Sequence, residues 1–190
     1  MLNLLLIRHS ETVVDPEIPP SQWKLSDRGV QRAGLLSEYL ADRGINALYS
    51  SGESKAVQTA EIVGTSTGLP VDVMHDLREH DRGNTTIIGA EKWRSLVIES
   101  IRKQDEHIYG FEPVGNARMR FGNAVERLMK PFQNDNRTVA VVAHGTVIST
   151  FVAELFEIDP IPIWESLGLP GMVEIEWPQP SKILTLRNFE

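Results

Sequence analysis

Apolar and polar positions alternate along the chain in two periods. Residues 1–7 are short and almost uniformly apolar, the pattern of a strand buried on both faces. Ser26 is placed to cap a helix reaching to about residue 43. Its apolar positions Val30, Ala33, Leu36 and Leu40 recur near helical spacing, and Gly44 ends it. Residues 45–49 predict a second strand. A second helix follows over about 53–65, with Ala56, Ala60 and Val63 on one face and Gly68 and Pro70 at its exit. Residues 71–74 predict a third strand. Residues 138–143 predict a fourth, fully buried one, and 145–156 the helix after it. Residues 172–177 and 183–186 predict a closing antiparallel pair, with Pro178 and Pro180 in its turn.

Strands separated by helices require parallel crossovers and a sheet covered on both faces. The expected fold is therefore α/β: a three-layer α/β/α sandwich with a mostly parallel central sheet and one antiparallel edge region, all 190 residues in one domain. The stretch from Gly83 to Gly115 breaks the alternation. It carries Trp93, Tyr109, Phe111 and much charge, and it is expected to be a helical insertion or lid that lines a pocket. Trp23, Trp93 and Trp164 suit core or lid packing. Arg118, Arg120 and Arg127 fit solvated helix faces, Arg120 being the one that could reach toward a pocket.

Composition narrows the chemistry. With 19 basic against 26 acidic residues, the net charge of -7 gives no broad positive field for nucleic acid. The absence of cysteine excludes disulfides, thiol catalysis and thiolate zinc sites. The longest apolar runs, at 4–7 and 139–143, are too short to span a bilayer. The first is followed at once by Arg8 and His9, without a small-residue cleavage site, so it does not read as a signal peptide. A cytoplasmic protein without a membrane partner is expected, and a homodimer is left open. There is no Walker phosphate loop and no dinucleotide fingerprint, so no cofactor is expected.

The candidate chemistry gathers at strand ends. In a mostly parallel sheet, ligands bind beyond the carboxyl ends of the strands. Arg8-His9-Ser10 follows the first strand, Ser50-Ser51 the second with Lys55 just beyond, Glu79 the third, and His144-Gly145 the fourth. Arg8, His9, Lys55, Glu79 and His144 would then share one rim. Two cations and two imidazoles suit a phosphoryl group, which arginine meets with a planar fork and lysine with a mobile point charge. One neutral imidazole can attack phosphorus. The other, when protonated, can balance charge on the equatorial oxygens. A protonated carboxyl group can then donate its proton to the leaving oxygen and later activate water. Ser10, Thr12 and Thr146 are secondary candidates for substrate contact, although each is equally explained as a local cap.

These residues resemble those of a known family. Leu6-Ile7-Arg8-His9-Ser10-Glu11-Thr12 resembles the Arg-His-Gly-Glu-Thr signature of the histidine phosphatase superfamily, the phosphoglycerate mutase-like fold. Residues 50–60, Leu77-Arg78-Glu79 and Val142-Ala143-His144-Gly145 resemble its later motifs in the same order. The resemblance implies that His9 is the phosphorylated nucleophile, that Arg8 and His144 belong to the phosphate pocket, and that Glu79 is the proton donor. It departs from the family at three points. Ser10 replaces the usual glycine, and Lys55 replaces the usual second arginine and loses its fork. The tract 15–25, with Trp23, replaces the mutase stretch. A bacterial phosphatase-like subgroup fits best.

The expected function is a metal-independent phosphomonoesterase working through phospho-His9 on a small or medium phosphoester. A phosphoglycerate mutase-like phosphotransferase and a catalytically weak phospholigand-binding protein are the alternatives. Another rival is a metal site built from His75, Asp76, Glu79, His80 and Asp81. Its histidines are five apart and miss the helical zinc spacing, so no metal is expected.

Overall fold

The computed structural model describes residues 2–83, 89–133, 136–178 and 183–190. The strands are β1 (Leu2–Arg8), β2 (Ile45–Ser51), β3 (Val71–Met74), β4 (Thr138–Ala143), β5 (Gly171–Trp177) and β6 (Ile183–Asn188). The helices are α1 (Asp27–Ala41), α2 (Ser54–Thr67), α3 (Ala90–Arg102), α4 (Val114–Met129), α5 (Gly145–Phe156) and α6 (Pro160–Ser166). The sheet order is β3-β2-β4-β1-β5-β6. β3, β2, β4 and β1 run parallel, while β5 is antiparallel to β1 and β6 to β5. The three-layer α/β architecture with an antiparallel edge is as the apolar pattern predicts.

Alternation within the strands explains the layers. Leu4, Leu6, Val139, Val141 and Ala143 face one way and pack with Phe121, Val125, Ile148 and Phe151 of α4 and α5. Leu5, Ile7, Ala140 and Val142 face the other way and pack with Leu36, Leu40, Ala56, Ala60 and Val63 of α1 and α2. Both faces are covered, so the central strands read as continuous apolar runs. Burying a leucine or isoleucine of this kind contributes roughly 1.5–3 kcal/mol.

Three local expectations change. Val30 is 49% exposed, because the buried stripe of α1 runs through Gly29, Ala33, Leu36, Ser37 and Leu40. Gly29 lies so close to the loop after β1 that a Cβ there would come within 2.0 Å of the Glu11 carbonyl oxygen. Arg120, assigned to a solvated face, turns inward. Its guanidinium donates to the carbonyls of Asp76, Arg78 and Glu79 and to Glu112 Oε1. Helix α6 has no counterpart in the apolar pattern. Pro160 and Pro162 disguise it, although Asp159 caps it by accepting from the Ile161 amide.

Within the expected insertion, residues 84–88 lie outside the described residues, as do Met1 and Pro180, assigned to the first strand and the last turn. The described part of the insertion contains α3. Val97 and Ile101 of that helix form a small separate core with Trp164 of α6, flanked by Trp93 and Tyr109. Among the described residues no helix is long and apolar enough to cross a membrane.

Candidate active site

The carboxyl edge of the parallel strands gathers the chemistry. Arg8 pairs with Ala143 at the ends of β1 and β4, and the His9 amide continues the ladder by donating to the Ala143 carbonyl at 3.0 Å. His9 and His144 therefore leave adjacent strands side by side. Their ring centroids lie 5.2 Å apart, with planes at 62°. β2 flanks β4 on the other side, and its last residue places Ser51 Oγ 2.8 Å from His144 Nε2.

His9 is half-buried, and its Nδ1 lies 2.7 Å from the Ser10 carbonyl oxygen. A carbonyl can only accept, so Nδ1 carries the proton and Nε2 keeps its lone pair. Desolvation pushes the His9 pKa well below its ordinary value, and His144, Lys55 and Arg8 push the same way. A neutral ring with a free Nε2 is the form a nucleophile needs. His144 is likewise driven well below its ordinary value, first by burial and then by Lys55. The second imidazole is therefore neutral in the resting protein. The protonated form expected from the sequence has to be drawn out by an anion.

The Arg8 guanidinium donates from Nη1 to the Leu167 carbonyl and lies along Gly145, where a Cβ would approach Arg8 Nε to 3.0 Å. Glycine after His144 thus makes room for the arginine. Desolvation lowers the Arg8 pKa to about 10, which leaves it charged at neutral pH. Arg8 Nε and His144 Nδ1 are buried and meet no hydrogen-bond partner among the described residues. Buried polar atoms are rarely left so, and both are donors suited to an anion when His144 is charged.

Lys55 lies on the first turn of α2 and is 6% exposed. Its Nζ donates to Glu53 Oε2 at 2.6 Å and to the Pro20 carbonyl at 2.7 Å. Glu53 also accepts from the Glu79 amide at 2.8 Å, and its Oε1 lies 3.4 Å from His144 Nε2. Burial raises the Glu53 pKa, but Lys55 and the Glu79 amide outweigh that and hold it below the usual carboxylate range.

Glu79 stands at the N-terminus of α5. Its carboxylate accepts from the Thr146 amide at 3.1 Å, the Val147 amide at 3.3 Å and the His80 amide at 2.9 Å. Arg82 Nη2 lies 3.5 Å from Glu79 Oε2 and donates to Thr146 Oγ1 at 2.7 Å. Burial again raises the Glu79 pKa. Arg82, His144 when charged and the amides bring the balance below the ordinary value.

The structure thus brings Arg8, His9, Lys55, Glu79 and His144 to one place. The three secondary candidates have other partners. The Ser10 hydroxyl is fully buried and donates to the Gly29 carbonyl at 2.7 Å, while its amide donates to Thr59 Oγ1. Thr12 bridges to Leu25 in the loop after β1. The Thr146 hydroxyl takes the Arg82 donor and its amide faces Glu79. The cluster from His75 to Asp81 disperses: Asp76 meets Arg78 and Arg127, and His80 Nε2 meets the Glu112 carbonyl. Among the described residues no three histidine, aspartate or glutamate side chains form a metal-ligand set.

Sequence reasoning missed Glu53, Arg82 and the bracing by Arg120. Two signals were there to be read. Glu53 is the N-cap position of the helix that carries Lys55, and Arg82 follows Glu79 by three residues.

The family model of the histidine phosphatase superfamily (branch 1) matches residues 4–188. The chain belongs to that superfamily. Among curated relatives, the uncharacterized phosphatase PhoE of Bacillus subtilis is 24% identical over 84% of this chain and 80% of its own. Phosphoserine phosphatase 1 of Hydrogenobacter thermophilus is 25% identical over 86% of this chain and 81% of its own. A probable phosphoglycerate mutase GpmB of Salmonella paratyphi A is 26% identical over 92% and 79%. Two solved structures show the same fold. Phosphoserine phosphatase of Entamoeba histolytica, in complex with 3-phosphoglyceric acid, has a TM-score of 0.77 at 20% identity, covering 100% of this chain and 98% of that one. A mycobacterial glucosyl-3-phosphoglycerate phosphatase has a TM-score of 0.76 at 21% identity, covering 98% and 96%.

Proposed function

We propose that the protein is a phosphomonoesterase that forms phospho-His9 and that Glu79 handles the proton. The observation carrying this reading is the state of His9: a neutral ring, fixed through Nδ1, with Nε2 free and a second imidazole beside it. The phosphatase names among the relatives support it.

In the first step the Nε2 lone pair of His9 forms a bond to phosphorus and the P–O bond to the alcohol breaks. The leaving oxygen takes a proton from Glu79 and departs as the alcohol. In the second step Glu79, now a carboxylate, takes a proton from water. The hydroxide oxygen bonds to phosphorus, the P–N bond breaks, and neutral His9 and inorganic phosphate return. Arg8, Lys55 and His144 hold the equatorial oxygens, where fixed positive charge gains most as the transition state forms.

Glu79 is ionised in the resting protein, so its proton must arrive with the substrate. A phosphomonoester has a second pKa of about 6, and its monoanion carries the needed proton. The incoming phosphoryl charge also opposes the negative charge on Glu79 and favours its neutral form.

The test is hydrolysis of phosphomonoesters in the presence of a chelator, by the wild type and by His9→Ala. Wild-type phosphate release that is lost in His9→Ala supports the reading. Turnover retained by His9→Ala contradicts it. Release of inorganic phosphate, rather than formation of an isomeric phosphoester, separates a phosphatase from a mutase.

A further inference from the structure

Beside Arg8, a cavity of about 420 Å³ is lined by Arg8, Trp93, Arg94, Trp164 and Glu165. Its size falls within the range of small-molecule sites, roughly 300–1,000 Å³. Resting on the phosphatase reading, we propose that this cavity receives the alcohol part of the substrate, and that it selects an uncharged alcohol with a flat aromatic body.

Continuity comes first. Arg8 belongs both to the rim around His9 and to the cavity wall, so an ester whose phosphoryl group sits against Arg8 has its alcohol at the cavity mouth. The walls come second. Trp93 of α3 and Trp164 of α6 hold their rings 5.7 Å apart at 40°, splayed rather than stacked face to face. Trp164 is 7% exposed and fixed by Val97 and Ile101, whereas Trp93 is only half-buried and presents ring surface. Indole faces offer large, rigid contact area at little conformational cost.

Charge comes third. Arg94 of α3 and Glu165 of α6 both line the cavity and are already paired. A carboxylate or an ammonium group on the alcohol would be drawn from water toward a pair whose opposite charges already offset one another. An uncharged ring leaves it intact.

The second wall also touches the proton chemistry. The Arg82 guanidinium lies 5.5 Å over the Trp93 ring and 3.5 Å from Glu79. Arg82 thus links the cavity wall at Trp93 to the carboxylate that must protonate the leaving oxygen.

The experiment compares 2-phenylethyl phosphate with ethyl phosphate, whose alcohols have similar acidity, and with phosphoserine, whose alcohol part is charged. The expected kcat/KM for 2-phenylethyl phosphate is about tenfold or more above either, equivalent to about 1.4 kcal/mol. The advantage over ethyl phosphate should collapse in Trp93→Ala and persist in Trp93→Phe. Binding of 2-phenylethylphosphonate and ethylphosphonate to the wild type gives a second reading that needs neither turnover nor a folded variant. If no ester is hydrolysed but the phenyl phosphonate binds about tenfold tighter, the phosphatase reading fails and the subsite stands. Equal kcat/KM for the two alkyl esters with equal phosphonate affinities, or a preference for phosphoserine, overturns the subsite.

Discussion

His9 and His144 leave adjacent parallel strands at one level, 5.2 Å apart between ring centroids, and both are held neutral in the resting protein. Each has a folded-state pKa far below its unfolded one, so the unfolded chain binds more protons at mildly acidic pH. Stability is then complete above the unfolded value, 6.5, and is lost as pH falls below it. His80 adds to the same slope. Glu53 and Glu79 act only lower, below their ordinary value of 4.5. Between pH 6.5 and 5, the denaturant midpoint should fall steeply. A His9→Asn/His144→Asn double variant should take up about two fewer protons on unfolding at pH 5.5. An equal slope in wild type and variant would show that the rings are not held neutral.

The same charges set the pH dependence of catalysis. His9 stays neutral well into the acid range, and the competent pair of Glu79 and substrate needs one proton. kcat/KM should therefore be greatest at mildly acidic pH and fall about tenfold per unit above about pH 6. Arg82 is the first cause holding Glu79 ionised. Two further titratable groups face Glu79, neutral His144 after β4 and charged Arg8 on β1, and Glu53 accepts from its amide. Arg82→Met should raise the Glu79 pKa and move the alkaline limb of kcat, which reports the proton held in the complex, to higher pH, while the limb of kcat/KM near pH 6 stays with the substrate. An unmoved limb would remove Arg82 from the proton chemistry.

Lys55 meets Glu53 before it meets any substrate. Glu53→Gln keeps an acceptor near Lys55 and the Glu79 amide but removes a negative charge from beside the phosphate pocket. Inorganic phosphate should inhibit this variant about tenfold more tightly, equivalent to about 1.4 kcal/mol. Lys55→Met should act oppositely and lower kcat/KM at least about 100-fold, because it strands a buried carboxylate next to His144. Inhibition constants for phosphate in the two variants provide the check.

Ser10, where glycine is usual in the superfamily motif, is a structural substitution here. Its hydroxyl ties the loop after β1 to Gly29, and its amide is held by Thr59. Ser10→Gly should leave kcat/KM within about threefold while costing about 1 kcal/mol of stability for the lost hydrogen bond. A large loss of activity with unchanged stability would place Ser10 at the substrate.

The sequence made the strand ends legible because buried parallel strands are uniformly apolar and stop abruptly: Ile7 to Arg8, Ala143 to His144. It showed α1 and α2 for the same reason, through Leu36, Leu40, Ala56 and Ala60. Val30 misled because one apolar residue on a helix does not define its inward face when a glycine, Gly29, makes the closest contact. Glu53 and Arg82 were hidden because pairing between charges is a matter of tertiary geometry. Nothing in the spacing of Glu53 and Lys55 says that both are taken out of water together. Arg120 is the sharpest case: a helix arginine that turns inward to hold the carbonyls of Asp76, Arg78 and Glu79 in the loop that carries the acid.

The most direct measurement is the chemical identity of the covalent intermediate. Wild-type protein is mixed with a ³²P-labelled monoester, quenched in alkali within the first turnover, and mapped by peptide and by ring nitrogen. The account predicts an acid-labile, alkali-stable label of no more than one phosphoryl group per chain, on Nε2 of His9. Label on any other residue, or multiple turnover with no label on His9 at any quench time, would contradict it.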